Sequence, residues 1–155
     1  MGEGLDPQTE MGPLANSRRV AAMEAFIRDA IDRGAHVRAG GKRIGNIGNF
    51  FQPTVLTDIS REARAMNEEP FGPLALIQPF DSDDEAISEA NRLPYGLAAY
   101  AFTSSAIRAR AMKENIETGM LAINHLGLGL PETPLGGVKD SGYGQSDIPA
   151  CTMSK

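Results

Sequence analysis

The residues that most clearly suggest a chemical role are two adjacent carboxylates, Glu68 and Glu69. They lie within residues 67–73 (Asn-Glu-Glu-Pro-Phe-Gly-Pro). A carboxylate only accepts hydrogen bonds, and its two oxygens can accept from two neighbouring hydroxyl groups at once. The helix macrodipole disfavours two negative charges at a helix C-terminus, which indicates that a donor approaches them. The vicinal hydroxyls of a ribose would suit this pair, with Phe71 as an apolar wall beside the sugar or its base. The alternative interpretation is an ordinary solvated helix end.

Other residues that could carry chemistry form no recognisable constellation. The only cysteine, Cys151, has no activating neighbour in the sequence, and we interpret it as a non-catalytic free thiol. His36 and His125 are far apart and lack metal-ligand spacing, so we expect no metal site. The glycines of residues 136–144 do not form the dinucleotide-binding fingerprint, although a phosphate cradle there remains an alternative.

Composition argues against several functional classes. The net charge is -5 and there is no dense Lys/Arg stripe, which argues against nucleic-acid binding. A single cysteine excludes a disulfide within the chain and favours a reducing compartment. No apolar run approaches the roughly 20 residues of a membrane span, and the N-terminus lacks the features of a signal peptide. We therefore expect a cytoplasmic protein with neither a nucleic-acid partner nor a membrane partner.

The hydrophobic pattern predicts the elements that lead to the two carboxylates. Residues 17–33 have apolar side chains at spacings of three and four, which is typical of a helix, and Gly34 is placed to end it. Residues 36–39 are a strand candidate. Residues 50–56 also favour a strand, which Pro53 would place at a sheet edge or make irregular. The residues expected on the inner helix face are Val20, Met23, Ile27, Ala30 and Ile31.

After residue 73 the pattern alternates between apolar strands and helices. Strands are predicted at residues 74–80, 97–103 and 120–123. A capping box at residues 82–85 begins one helix, and Ser104 or Ser105 caps the next. This order implies right-handed crossovers, and it predicts an α/β fold with a parallel sheet and flanking helices. The side chains expected to point inward from the two helices are Ala86, Ile87, Ala90, Ile107, Ala111 and Ile116.

The carboxyl end of the third predicted strand is a second candidate site. Ligands of open parallel sheets bind at the carboxyl ends of the strands. Asn124 and His125 follow that strand directly, and a glycine-rich segment continues from there to Lys139. These residues are therefore placed where a ligand would bind.

Five motifs in register carry a family resemblance. They are residues 51–56 (FQPTVL), 67–73 (NEEPFGP), 90–98 (ANRLPYGLA), 119–125 (GMLAINH) and 134–144 (PLGGVKDSGYG). Their order and spacing resemble the C-terminal part of the NAD(P)-dependent aldehyde dehydrogenase superfamily. The Asn-His pair and the Glu-Thr-Pro-x-Gly-Gly sequence are most similar to succinate-semialdehyde-type members.

The resemblance implies a partial catalytic domain over residues 1–144 and a divergent tail over residues 145–155. It implies oxidation of a small aldehyde, such as a semialdehyde, to a carboxylic acid with NAD or NADP as the cofactor. By resemblance, Glu69 binds the nicotinamide ribose hydroxyls and Phe71 contacts the ribose–nicotinamide end. The residues that would line the substrate are Asn124, His125 and Leu135.

The parts of the family pattern that are absent lead to further expectations. The family's nucleophilic cysteine, general-base glutamate, oxyanion-hole asparagine and cofactor domain lie upstream of the matching region, so we expect no catalytic residue and no turnover from this chain alone. Cys151 follows the last motif and does not correspond to the nucleophile. Family members are usually homo-oligomers, but residues 145–151 depart from the oligomerisation strand, and we expect a truncated chain. The rival function is a non-catalytic assembly module that pairs with a fuller dehydrogenase subunit.

Overall fold

A computed structural model describes residues 1–129, 135–142 and 145–146. It divides the chain into two compact units, Met1–Pro79 (unit 1) and Phe80–Lys155 (unit 2). Cys151 lies outside the described residues, as does most of the predicted tail.

Unit 1 begins with helix α1, Ser17–Asp32, as the apolar spacing predicts. The side chain of Asn16 caps it by accepting a hydrogen bond from the Arg19 backbone N–H. Gly34 follows with a φ of +96°, the left-handed conformation that ends many helices. The expected inner face is wrong in one position, because Ile31 is 47% exposed. The residues buried from α1 are Val20, Met23, Phe26, Ile27 and Ala30.

The sheet of unit 1 has three strands: β1 (His36–Ala39), β2 (Thr54–Thr57) and β3 (Leu74–Ile77). Strand β2 lies in the centre, antiparallel to β1 and parallel to β3. Of the two alternatives for residues 50–56, the edge position is therefore wrong, whereas the run is irregular: Phe51 forms an isolated bridge with Arg43, and the strand begins at Thr54. Pro53 is tolerated because it precedes the first residue of β2, so its missing N–H removes no ladder bond.

The apolar core of unit 1 joins α1 to β2 and to the chain on either side of it. Phe51 and Leu56 are the largest contributors from outside the helix, with exposures of 1% and 0%. The cluster also includes Ile59, Ala63 and Ala65, which lead toward the two carboxylates.

The described residues of unit 2 form two helices and six short strands. Its elements are α2 (Asp83–Ala90), β4 (Tyr95–Gly96), β5 (Ala98–Ala101), α3 (Ala106–Asn115), β6 (Met120–Ile123), β7 (Leu135–Gly136), β8 (Val138–Lys139) and β9 (Gln145–Ser146). Strands β5 and β6 are parallel, whereas β4 pairs with β8 and β7 with β9 in antiparallel fashion. Parallel pairing across a helix is thus present, but the single predicted sheet is divided into smaller sheets.

The helices of unit 2 start where the caps predict, but they bury less than expected. Ser82 accepts from Glu85 N, and Ser105 accepts from Arg108 N. Ile107, expected to point inward, is 84% exposed, and Ala90 is also exposed. Neither α2 nor α3 contains a fully buried residue. The apolar pattern of these helices therefore overstates the core that the described part of unit 2 provides.

Three backbone segments of unit 2 meet at Gly119. Its N–H donates to Gly96 O at 2.9 Å, and a Cβ at this position would overlap Gly136 O. Glycine is required here because the neighbouring backbone occupies the space of any side chain.

The helices of the described residues are all too short or too polar to cross a lipid bilayer. The same residues contain no group of three His, Cys, Asp or Glu side chains arranged to hold a metal ion.

Candidate functional site

The first candidate site is the corner, residues 67–73, which connects a 3-10 helix (Arg64–Met66) to β3. Residues 61–69 are a charged run whose composition is compatible with a helix, and within it only this single turn forms. Asn67 closes the turn because its Nδ2 donates to both Arg61 O and Ala63 O at 2.8 Å. At the other end, Pro73 O accepts from Thr54 N at 2.8 Å, which ties the corner to β2.

The two adjacent carboxylates of the corner have different surroundings. Glu68 accepts two hydrogen bonds from the Arg64 guanidinium, at 2.9 Å and 3.0 Å. These hydrogen bonds, with the positive charge, lower the pKa of the Glu68 carboxyl. A hydrogen-bond donor is expected to approach the two carboxylates, and for Glu68 that donor is the Arg64 guanidinium. Glu69 is exposed and makes no hydrogen bond or ion pair with any described residue.

Phe71 presents its ring to solvent from a strained backbone. Its φ is +42°, in the left-handed region that bulky residues rarely adopt, and the residue is 72% exposed. Such conformations cost free energy and are found most often at functional sites, where the surrounding structure enforces them. Glu69 and Phe71 are thus both exposed residues of the corner.

The second candidate site is the carboxyl end of β6 in unit 2. Asn124 has a φ of +57°, and its backbone N–H donates to Ala101 O at 2.8 Å. Its side chain accepts from Thr103 N and donates to Thr103 O, both at 2.8 Å. Both ends of the Asn124 amide are therefore used to join the ends of β5 and β6.

His125 and Leu135 remain open to solvent. His125 Nδ1 lies 2.9 Å from Gly127 N and 3.0 Å from Gly127 O, so it accepts from the first when unprotonated and donates to the second when protonated. Leu135, at the start of β7, is 45% exposed. A Cβ built on Gly129 would lie 3.8 Å from Leu135 Cδ1. The loop that follows His125 therefore reaches the neighbourhood of Leu135.

Each unit has a cleft beside its candidate site. In unit 1 a cleft of about 300 Å³ is lined by Gly72 and Pro73 of the corner and by Phe51 of the core. In unit 2 a cleft of about 490 Å³ includes Thr103, the residue that Asn124 holds, and the ion pair of Arg108 with Asp83. The remaining residues of the first cleft are Met1, Met11, Gly12, Pro13 and Leu14, and those of the second are Phe80, Asp81, Ser82, Phe102 and Met112.

Sequence reasoning missed Arg64 and Thr103. Arg64 stands four residues before Glu68, the spacing at which side chains meet on a helix surface, so a signal existed. Thr103 contacts Asn124 through its backbone alone, and no residue type signals such a contact. The structure places the predicted cofactor residues in unit 1 and the predicted substrate residues in unit 2.

Comparison with known proteins supports the fold and the resemblance. The model of the aldehyde dehydrogenase family matches residues 1–154. The chain is 48% identical over 144 residues to 4-(hydroxymethyl)benzenesulfonate dehydrogenase TsaD1 of Comamonas testosteroni, covering 93% of this chain and 30% of that protein. It is 45% identical over 145 residues to a probable succinate-semialdehyde dehydrogenase (NADP(+)) of Sinorhizobium fredii, covering 94% of this chain and 30% of that protein.

The same correspondence holds in three dimensions. The crystal structure of succinate-semialdehyde dehydrogenase from Burkholderia pseudomallei superposes with a TM-score of 0.89 at 39% identity, over 94% of this chain and 30% of that one. The chain therefore spans about 30% of the length of the relatives it matches, and its α/β elements are those of part of their fold. On a family match over nearly all of its residues and a shared fold, the chain belongs to the aldehyde dehydrogenase family.

Proposed function

We propose that the corner forms the nicotinamide-ribose part of the cofactor site of an NAD(P)-dependent aldehyde dehydrogenase. The observation that carries this proposal is the contrast between Glu68, which Arg64 engages, and Glu69, which is exposed and free of partners among the described residues. A free carboxylate fits two vicinal hydroxyl donors, because each of its oxygens can accept one of them. The exposed ring of Phe71 fits the apolar side of the same group.

In the proposed reaction an aldehyde, water and the oxidised cofactor become a carboxylate, the reduced cofactor and two protons. The bound nicotinamide supplies the hydride acceptor. Glu69 fixes the sugar by accepting from its hydroxyls, which limits rotation of the attached ring. Phe71 covers one side of the sugar and excludes water there. We assign no catalytic residue to this chain.

We also propose that the aldehyde substrate carries an anionic group. The names of two relatives, a benzenesulfonate dehydrogenase and a succinate-semialdehyde dehydrogenase, each refer to a compound with a sulfonate or carboxylate. In this chain His125 is exposed, and an imidazole N–H is a donor suited to an anion. Leu135 offers an apolar surface for the carbon chain. Asn124 supports this edge through Thr103, since its amide is already bonded.

The test of the cofactor proposal is the affinity for NAD⁺ and NADP⁺, measured on the full chain by isothermal titration calorimetry. Glu69→Gln keeps the size of the side chain but removes its charge. A hydrogen bond to a charged group contributes about 1.5–3 kcal/mol, so we expect Glu69→Gln to weaken binding by roughly tenfold to a hundredfold.

The matched control is Glu62→Gln, the same change at a side chain that is 84% exposed and lies outside the corner. We expect it to bind like the wild type. Equal affinities for the wild type and Glu69→Gln, or equal losses in both variants, would contradict the proposal.

A further inference from the structure

We propose that one face of α1 is a positioning device that presents Glu69 and Phe71 to the cofactor, an inference that rests on the function proposed above. The face consists of Arg19, Met23, Phe26 and Asp29. Their spacings of four, three and three place them in line along one side of the helix. All four meet the corner or the 3-10 helix that precedes it.

Asp29 anchors the start of the 3-10 helix that precedes the corner. Its Oδ2 accepts from the backbone N–H of Arg64 at 2.7 Å, and its Oδ1 pairs with Arg33 at 3.1 Å. The hydrogen bond from Arg64 N–H, followed by that from Arg33, lowers the pKa of the Asp29 carboxyl. An orphan donor at the start of the 3-10 helix is thereby satisfied from α1.

Phe26 supports the arginine that engages Glu68. The Cζ atom of Arg64 lies 5.0 Å from the centre of the Phe26 ring, within the range of a cation–π contact. The ring itself is 4% exposed and belongs to the core, so it cannot move away easily. The guanidinium is thus fixed by the Phe26 ring and by the two oxygens of Glu68.

Arg19 and Met23 contact the second half of the corner, at residues 70 and 72. The Nη2 group of Arg19 donates to Pro70 O. The Sδ atom of Met23 occupies the space that a Cβ at position 72 would need, so Gly72 allows the chain to lie directly against α1. Met23 is 1% exposed, and this contact is therefore part of the core.

Anchored residues alternate along the corner with Glu69 and Phe71. Glu68 is held through Arg64, Pro70 through Arg19, and Gly72 against Met23. Glu69 and Phe71 lie between them and are exposed, and Glu68 is exposed as well but paired. A chain fixed at every second residue has little freedom to rotate the others. This explains how the positive φ of Phe71 is maintained. The same anchoring limits the backbone freedom of Glu69.

The test separates positioning from simple stability by comparing two ligands. One is NAD⁺, and the other is an analogue whose nicotinamide ribose lacks both hydroxyls. The ratio of their affinities reports the contribution of the Glu69 carboxylate alone. Calorimetric titrations use the full chain and three variants: Arg19→Met, Arg19→Lys, and the control Arg18→Met at the neighbouring exposed arginine. Thermal unfolding of each variant is measured in parallel.

We expect Arg19→Met to weaken NAD⁺ binding by roughly threefold to tenfold, which lies within the coupling energies of residues in one network. The affinity of this variant for the analogue should be unchanged. Arg19→Lys, which keeps a donor, should recover part of the loss, and Arg18→Met should match the wild type. Adding Arg19→Met to Glu69→Gln should cause no further loss, because the two changes act through one carboxylate.

Two results would overturn the positioning role. One is an equal loss for both ligands in Arg19→Met, which would indicate general destabilisation. The other is an NAD⁺ affinity that is unchanged both in Arg19→Met and in a second single variant, Asp29→Asn, which releases the 3-10 helix before the corner. The function proposed above fails separately, if Glu69→Gln leaves the ratio of the two affinities unchanged.

Discussion

The amide of Asn124 accepts from and donates to the same residue, Thr103, from a backbone with a φ of +57°. Asn124 contributes to stability in two ways: through these two hydrogen bonds and through the tolerance of asparagine for the left-handed conformation. Asparagine adopts that conformation more readily than most residues because its short polar side chain bonds locally. The two parts can be separated by substitution.

Asn124→Gly removes both hydrogen bonds but accepts the positive φ, whereas Asn124→Ala removes the bonds and adds backbone strain. We expect losses in the free energy of unfolding of about 1–3 kcal/mol for Asn124→Gly and roughly 1 kcal/mol more for Asn124→Ala. Urea denaturation measures both, and the exchange rate of the Thr103 amide proton should rise in each. An alanine variant as stable as the wild type would show that this clamp is not important for stability.

The carboxyls of Glu68 and Asp29 predict how stability depends on pH. Arg64 lowers the pKa of both groups, through its guanidinium for Glu68 and its backbone N–H for Asp29, from ordinary values of 4.5 and 3.8. A lowered folded-state pKa means that the stabilisation is complete above the unfolded value and is lost as pH falls through the folded value. Stability should therefore decline as pH falls below 4.5.

Arg64→Met removes the guanidinium from Glu68 but keeps the backbone N–H that Asp29 accepts. We expect this variant to show a shallower decline of the urea midpoint between neutral pH and the acid range than the wild type shows. The matched comparison is Arg18→Met, the same change at an exposed arginine of α1. Parallel pH curves for the wild type and Arg64→Met would refute the assignment of the lowered pKa of Glu68 to this ion pair.

At the scale of elements, the caps of α2 and α3 were readable in the sequence because a serine oxygen must face a specific N–H. The sequence left Ser104 and Ser105 as equal candidates, and the structure selects Ser105, whose Oγ lies 3.3 Å from Arg108 N. Loss of such a cap costs about 1 kcal/mol.

We expect Ser105→Ala to lower the free energy of unfolding by about 1 kcal/mol and Ser104→Ala to leave it nearly unchanged. Chemical denaturation of the two variants in parallel provides the measurement. Each serves as the control for the other, since they make the same chemical change one residue apart. Equal effects would mean that α3 does not begin as described.

The elements that sequence reasoning misjudged share one physical cause. Spacing shows which apolar residues lie on a helix face, but it does not show whether another layer covers that face. Ile31 and Ile107 fit the helical pattern, yet they are 47% and 84% exposed. Pro53 likewise suggested an edge because the sequence does not show that the ladder begins one residue later. Helices and strands could thus be predicted, whereas their partners could not.

The candidate site was predictable to a similar extent. Residue type and motif identified Glu69 and Phe71, and both lie exposed on the corner. Their roles toward the cofactor stay predictions, as do those of Asn124, His125 and Leu135 toward the substrate. Residue type alone did not separate Glu68 from Glu69, and it was the family resemblance that singled out Glu69. The ion pair of Glu68 with Arg64 depends on the position of the Arg64 side chain.

At the scale of the whole molecule, the buried apolar residues are concentrated in unit 1. The cluster around Phe26, Phe51 and Leu56 lies entirely there, whereas the buried apolar residues described in unit 2 are Ala101 and Ala122. Local stability follows the density of buried apolar contacts, so amide protons of unit 1 should be protected longer.

Hydrogen exchange followed by mass spectrometry tests this difference. We expect slow exchange in peptides from α1 and β2 and faster exchange in peptides from α2 and α3. Leu56→Ala should cost about 2–5 kcal/mol and accelerate exchange mainly in unit 1. Equal protection in the two units, or uniform acceleration by Leu56→Ala, would show that they unfold as one cooperative body.

The meeting of three backbones at Gly119 has a consequence for how this protein tolerates mutation. Every missense codon at position 119 adds at least one carbon atom where Gly136 O already lies, so no replacement is conservative there. A saturation library should accept many residues at a surface position such as Ile107, yet only the parental glycine codons at position 119. At such a position, only synonymous codon changes are tolerated, and missense variants are eliminated by selection for the folded protein.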